Sequence, residues 1–367
     1  MRNWLANFRY FDIYIFGSST LLLLLGLLMI YSTTLQNPVN SMPRQLVFGI
    51  LGYISMFGLA FFDYRKFKKI SGILYIIVVL SLIAVWFLGH SVKGSTRWIN
   101  LAFFQLQPAE FAKLAIVIIM AKFLDASREK IKDIRYILLS AVYVAIPAIL
   151  VLIEPDLGSA IVIFVIWLGL LSVSKMNKKH LAILLLSAVV LSIFSWSFVL
   201  KPFQKERIYT FLNPSKDPTG SGYNVMQSII AVGSGSLTGR GVGRGFQSQL
   251  KFLPERQTDF IFASTAEELG LFASIFILLM FGIILLRLIR IARQARDNFG
   301  MYLTLGIFFM LLVQVVINIG MNIGLLPVTG IPLPFFSYGG SSLLTTMLSL
   351  GLVQSVMARQ KALRFGS

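Results

Sequence analysis

Residues 252–270 read FLPERQTDFIFASTAEELG, and the fold turns on how this stretch is taken. It leaves a long polar, glycine-rich segment through Leu253-Pro254-Glu255-Arg256, passes a single acid at Asp259, and enters an apolar run that carries Glu267 and Glu268. A charged side chain at the centre of a bilayer costs about 3 kcal/mol or more, so acids in such a run face a polar cavity or a partner. If the run is helical from Asp259 onward, then Asp259, Ala263 and Glu267 share one face, with Glu267 roughly 12 Å deeper. Asp259 is therefore the residue around which a polar site is expected. Its plainer use is a structural ion pair with a basic residue, and Arg256 is close by in the chain.

Composition supports the membrane reading. The chain has 367 residues, 56% hydrophobic and only 13% charged, with a mean hydropathy of +0.79, whereas soluble domains carry about 25% charged residues. Long unbroken apolar runs, rather than alternating segments of about ten residues, make the spans helical. There is no cysteine and only two histidines, His90 and His180, so a disulfide framework, a thiolate site and a histidine-rich metal centre are all excluded. The formal net charge of +18 is explained by basic cytoplasmic loops rather than by a nucleic-acid partner.

Apolar runs fall at 12–31, 45–62, 70–89, 108–125, 136–153, 157–173, 181–200, 260–286, 301–324 and 341–357, each near the ~20 residues that cross a bilayer. The first follows Arg2 and Arg9 as a signal peptide would, but it is long and no small-residue cleavage site follows, so a retained helix is expected. Arg65, Lys66, Lys68 and Lys69, the basic residues of 122–135, Lys175, Lys178 and Lys179, the arginines of 287–296, and Arg359, Lys361 and Arg364 all fall on the side of the N-terminus. The short segments opposite hold only Arg44, Lys93 and Arg97. The bias puts both termini in the cytoplasm. The expected fold is an all-α integral membrane protein of ten transmembrane helices, one polytopic domain over 1–367. A long extracytoplasmic loop, 201–258, joins the seventh and eighth helices.

Every unusual polar cluster opens to the outer face. Glu110 and Lys113, three apart at the start of the fourth span, share a helix face: they neutralise each other for insertion, or they wall a cavity open to the outside. In Glu154-Pro155-Asp156, Asp156 suits the cap of the sixth helix, which leaves Glu154 unexplained. GSGSLTGRGVGRG at 233–245 interleaves Arg240 and Arg244 with glycines, as an anion-binding nest or as a flexible linker. PLPFFSYGGSS at 332–342, with Ser337 at its centre, is irregular backbone at membrane depth, tolerated where it is buried in protein or lines a wet cavity, or else a helix-entry turn.

Taken together, KGSTRWINLAFFQLQPAEFAKL (93–114), EPDLGSA (154–160), GRGVGRG followed by FQSQLKFLPERQTDFIF (239–262), AEELG (266–270) and LLPVTGIPLPFFSYGGSSLL (325–344) resemble the SEDS family of bacterial shape, elongation, division and sporulation proteins. The resemblance runs from the first span to the last, and its details are closer to the elongation branch than to the division branch. It implies a peptidoglycan glycosyltransferase that polymerises lipid II at the outer face of the bacterial cytoplasmic membrane, with a class B penicillin-binding protein as partner. It also implies that Asp259 is the family's essential aspartate, and that Arg97, Glu110, Lys113, Glu154 and Asp156 occupy family site positions.

On that reading Asp259 is the general base for the acceptor sugar. Arg97, Lys113 and Arg240, or a divalent cation (Mg2+ or Mn2+), would stabilise the diphosphate leaving group. Arg256 and Ser337 complete the set expected around the substrate. The rival expectation is a lipid II flippase; against it, the polar clusters gather on one face rather than at the midplane. A catalytically inert scaffold is the third.

Overall fold

The computed structural model describes residues 11–35, 41–92, 95–101, 104–198, 202–214 and 220–361; Arg2, Arg9, Lys93 and Arg364, used above for orientation, lie outside them. In chain order the described elements are α1 (Ile13–Thr34), α2 (Met42–Phe61), α3 (Arg65–Leu88), strands β1 (His90–Val92), β2 (Ser95–Leu101) and β3 (Phe104–Leu106), α4 (Pro108–Ala126), α5 (Ile134–Ile153), α6 (Leu157–Ser172) and α7 (Lys178–Phe198). Then follow α8 (Pro202–Leu212), α9 (Ser221–Ser234), α10 (Phe246–Gln249), α11 (Ile261–Arg293), α12 (Asn298–Asn322) and α13 (Gly340–Lys361). Among these, seven helices are long and apolar enough to cross a membrane: α1, α2, α3, α5, α11, α12 and α13. The chain is a multi-pass membrane protein. Scarce acids set several helix starts, since Asp12, Asp133, Asp156 and Asp297 each accept first-turn backbone N–H groups of α1, α5, α6 and α12, donors that a helix leaves unpaired.

The fold departs from an all-helical one in the segment after α3. There β1, β2 and β3 form an antiparallel sheet in that order, with Ile99 opposite Leu106 and Leu101 opposite Phe104. No period-2 alternation announces these strands, since Trp98 and Ile99 are apolar neighbours, and a ribbon this short leaves little signal beside long apolar runs. Likewise 201–258 is no open loop, because α8, α9 and α10 lie within it.

α13 is the most enclosed of the long helices and α3 among the least. α13 runs along α2, while α12 packs on α4, α6 and α11. Small residues allow that closeness: a Cβ on Gly351 would stand 2.8 Å from the Met56 carbonyl oxygen. Outward, Ile73, Ile76, Ile77 and Leu80 of α3 are each more than half exposed, as a lipid-facing stripe requires.

The helix that begins at Ile261 is broken. Gly270 has φ +75° and ψ −167°, a conformation open to glycine alone at low cost. Continuous, its 33 residues would reach about 50 Å, well beyond a ~30 Å hydrocarbon core. The break divides it into a short first piece, 261–269, and a longer second piece, 271–293. The backbone groups freed at the break are met by the glycine-rich segment. Arg240 N and Gly241 N donate to the carbonyls of Glu267 and Glu268 (3.0 and 2.9 Å), and Leu271 N donates to Ser236 O (2.9 Å). Glu267 and Glu268 lie on the first piece, before the break and against the folded loop.

Candidate functional site

Asp259 precedes α11, half-buried, in the turn that ends at Phe260. Two buried asparagines one helical turn apart on α12 hold it. Asn318 and Asn322 each donate a side-chain N–H to the Asp259 carbonyl (3.1 and 2.9 Å). Asn322 accepts from Ala263 N (3.0 Å), and Asn318 also donates to the Ile331 carbonyl (2.8 Å). The asparagines therefore fix the turn, the start of α11 and the 328–340 segment relative to one another. Gly330, at φ +77°, faces the carboxylate: a Cβ there would lie 3.6 Å from Asp259 Oδ2. Ser337 contributes by clasping backbone. Its hydroxyl donates to the Thr258 carbonyl (2.6 Å) and accepts from Leu333 N (2.9 Å), while Gln45 Nε2 donates to its carbonyl (3.1 Å).

Arg97, on β2, reaches the turn between α5 and α6. Its guanidinium donates to the carbonyls of Glu154 (3.1 Å) and Pro155 and lies 3.8 Å from Asp156 Oδ1. Asp156 is shared further, capping Ser159 N (3.0 Å) and accepting from Gln107 Nε2 (3.3 Å). Glu154 is different: it is buried, and neither carboxylate oxygen has a hydrogen-bond partner among the described residues. Burial, and then the negative charge of Asp156, push its carboxyl up to about 8, against the pull of Arg97. The same turn abuts the segment beside Asp259, because a Cβ on Gly158 would stand 2.9 Å from the Thr329 carbonyl.

Arg207, on α8, joins this group and was not singled out from sequence. It donates to the Val328 carbonyl (3.4 Å). Burial lowers its guanidinium from the usual range, the charge of Arg97 adds to that, and Asp259 and Asp156 oppose it. The site thus holds two arginines among acids. No motif marks Arg207 off from Lys201 or Lys205; only the path of α8 does. Asn318 and Asn322 did carry a signal, as polar side chains four residues apart in an apolar span.

Glu110 and Lys113 pair at 2.6 Å, both almost fully buried, on the first turns of α4. Gln107, just before them, links three helix starts: its N–H donates to Ser341 Oγ (3.0 Å) and its side chain to Asp156.

Arg240 and Arg256 are engaged elsewhere. Arg240 is exposed, its side chain donating to the Ser234 carbonyl at 3.4 Å. Buried Arg256 donates to the carbonyls of Thr33 (2.8 Å) and Ser248, fastening the loop to the end of α1. Gly243 of the glycine-rich segment, with the residues just after it, collects anions that are the chain's own. Glu268 accepts from Gly243 N (3.0 Å), Gln249 Nε2 (3.1 Å) and Ser32 Oγ (2.5 Å), and Glu267 accepts from Gln247 N, Ser248 N and Ser248 Oγ (2.7, 3.0 and 2.7 Å).

Among the described residues no three histidine, aspartate or glutamate side chains gather into a metal-ligand set. A carboxylate, two cations and an irregular wall at the ends of apolar helices suit a substrate with an anionic group at the membrane surface.

The comparisons with known proteins agree along the whole chain. The family model for FtsW, RodA and SpoVE, described as cell cycle protein, matches residues 13–362. Peptidoglycan glycosyltransferase MrdB of Escherichia coli (strain K12) is 36% identical over 351 residues, 94% of each chain. Stage V sporulation protein E of Bacillus subtilis is 39% identical over 348 residues, 92% of this chain and 94% of its own. A chain from a peptidoglycan synthase complex, solved to show the coordination of polymerization and crosslinking, superposes with TM-score 0.83 at 31% identity, covering 95% of this chain and 98% of its own. The rod shape determining protein RodA of Thermus thermophilus superposes with TM-score 0.70 at 29% identity, covering 97% and 98%. The chain belongs to the SEDS family, the FtsW, RodA and SpoVE proteins, and is RodA-like.

Proposed function

We infer that this protein is a peptidoglycan glycosyltransferase, which polymerises lipid II into glycan strands at the outer face of the bacterial cytoplasmic membrane during cell elongation. The observation that carries the reading is Asp259, a carboxylate pinned through its backbone by Asn318 and Asn322, with Arg207 close enough to feel its charge and Arg97 close enough to Arg207 to feel that one's. The names of relatives such as MrdB support the activity. The synthase-complex neighbour supports a transpeptidase partner, a class B penicillin-binding protein. Ten apolar helices would make ten spans with both termini in the cytoplasm, in keeping with the basic residues that cluster at one set of helix ends.

Asp259 takes the proton from the acceptor GlcNAc 4-hydroxyl as that oxygen bonds to the donor MurNAc anomeric carbon. The anomeric C–O bond to diphosphate breaks, and its electron pair leaves with the diphosphate. A β-1,4 link from an α-linked donor inverts the anomeric centre, so no covalent enzyme intermediate is required. Arg97 and Arg207 stabilise the charge that grows on the leaving group; buried Lys113 sets the field through its pair with Glu110. A Mg2+ or Mn2+ ion arriving with the diphosphate would be held chiefly by phosphate oxygens, and no step above depends on it.

The test is a gel assay of labelled lipid II with the protein and its cognate penicillin-binding partner. Glycan ladders from the wild type that vanish in Asp259→Asn, with lipid II binding retained, are expected. Undiminished ladders from Asp259→Asn would remove the general base. No ladders from a verified complex, together with transbilayer movement of lipid II in vesicles, would replace the polymerase by a flippase.

A further inference from the structure

A second charged cavity lies at the opposite ends of the helices from Asp259. It has a volume of about 470 Å3 and is lined by Arg65, Lys68 and Lys69 of α3, Lys122 and Asp125 of α4, and Asp297, the cap of α12. Its two acids are already committed. Asp297 accepts from Arg65 Nε (2.9 Å), Tyr64 Oη (2.7 Å) and Gly300 N (2.7 Å), and Asp125 accepts from Lys68 Nζ (2.5 Å). Lys69 and the half-buried Lys122 have no acidic partner among the described residues. Two uncompensated cations therefore face one cavity.

The positive-inside bias accounts for basic residues on this side, but not for their place. Arg65, Lys66, Lys68 and Lys69 fill the first turns of α3, which hold no acid, and that end of a helix dipole disfavours cations. Buried Phe299, stacked on Tyr64, gives the cavity an apolar wall. Lys69 also stands on one helical face with Ile73, Ile76 and Leu80, so the cavity opens at the foot of the lipid-exposed stripe of α3.

We propose that this cavity seats the phosphate headgroup of an anionic phospholipid of the inner leaflet, with Lys69 and Lys122 as its cationic contacts and an acyl chain along Ile73–Ile76–Leu80. Basic pockets between helices on the cytoplasmic side are suited to such headgroups. The inference rests on the orientation proposed above, which can be tested separately. Because the chain has no cysteine, Lys69→Cys gives a single thiol. Its labelling by an impermeant maleimide in intact spheroplasts would refute the orientation, and with it the leaflet.

The test is native mass spectrometry and thermal unfolding of the detergent-solubilised full chain with phosphatidylglycerol, phosphatidylcholine or inorganic phosphate. The wild type is expected to retain phosphatidylglycerol and to melt several degrees higher with it alone. Lys69→Gln/Lys122→Gln should lose at least tenfold of that retention. A charge-matched control in another basic turn, Lys178→Gln/Lys179→Gln, should keep it. Equal retention of phosphatidylcholine, equal loss in the control, or a double variant that binds as the wild type does would each overturn the site. A melting shift from millimolar inorganic phosphate that abolishes lipid retention would replace the lipid by a soluble phosphate.

Discussion

Asp259 is positioned by its backbone, and this separates its chemistry from its support. Asn318→Ala removes one of two donors to the Asp259 carbonyl and a bond worth about 1 kcal/mol. Polymerisation by Asn318→Ala is expected to fall about fivefold with lipid II binding unchanged, read from ladder rates and a binding isotherm on the same preparation. Glu154 makes a different prediction. Its carboxyl ionises at the ordinary 4.5 in the unfolded chain and at about 8 in the fold. The folded state therefore binds the extra proton, and the contribution is complete below the lower value and lost as pH rises through the upper one. Glu154→Gln does not titrate, so its melting temperature relative to the wild type should climb between pH 5 and pH 9. A flat difference would show that the carboxyl is already ionised. The Glu110–Lys113 pair is buried on both sides, and removing one partner strands the other. Lys113→Met should cost about 3–5 kcal/mol, with much of it recovered in Glu110→Gln/Lys113→Met, measured by chemical denaturation.

The broken α11 and the segment 235–249 form one device. The helix can turn at Gly270 because the loop supplies hydrogen bonds where the helix cannot, and the loop can stay folded because two carboxylates collect its amides. Backbone freed at membrane depth must find such partners. Replacing Glu267 by Gln exchanges charge-assisted bonds for weaker ones. It should cost about 1–3 kcal/mol and speed amide hydrogen exchange at Gln247 and Ser248 while leaving α12 protected. Uniform exchange changes across the chain would instead mean that the loop is not a local unit.

Across the bundle, the most enclosed long helix is rich in small and polar residues. α13 carries serines, threonines, glycine and Gln354, and its close run along α2 lets Gln354 exchange two hydrogen bonds with the backbone of Asp12, at 2.8 and 3.0 Å. A wedge in that seam tests it: Gly351→Leu must push against the Met56 backbone. A loss of about 1–3 kcal/mol is expected from overpacking, seen as a lower melting temperature with the helix content retained.

The membrane class, the apolar helices and their approximate bounds were legible in the chain, since run length and charge placement are properties of a line of residues. The capping by Asp156 was legible as well, because a cap is a contact over three residues. The break at Gly270 was not, because helical spacing carries no notice of one glycine at positive φ. The uses of Arg240 and Arg256, the recruitment of Arg207, and the asparagine cradle of Asp259 were decided by packing alone. All but the contacts of Arg240 with Ser234 and of Arg256 with Ser248 join residues tens to hundreds of positions apart, as Ser32 joins Glu268. In a medium without water, a buried polar group takes whichever partner the fold brings within 3 Å or so, and that partner exists only once the helices have met.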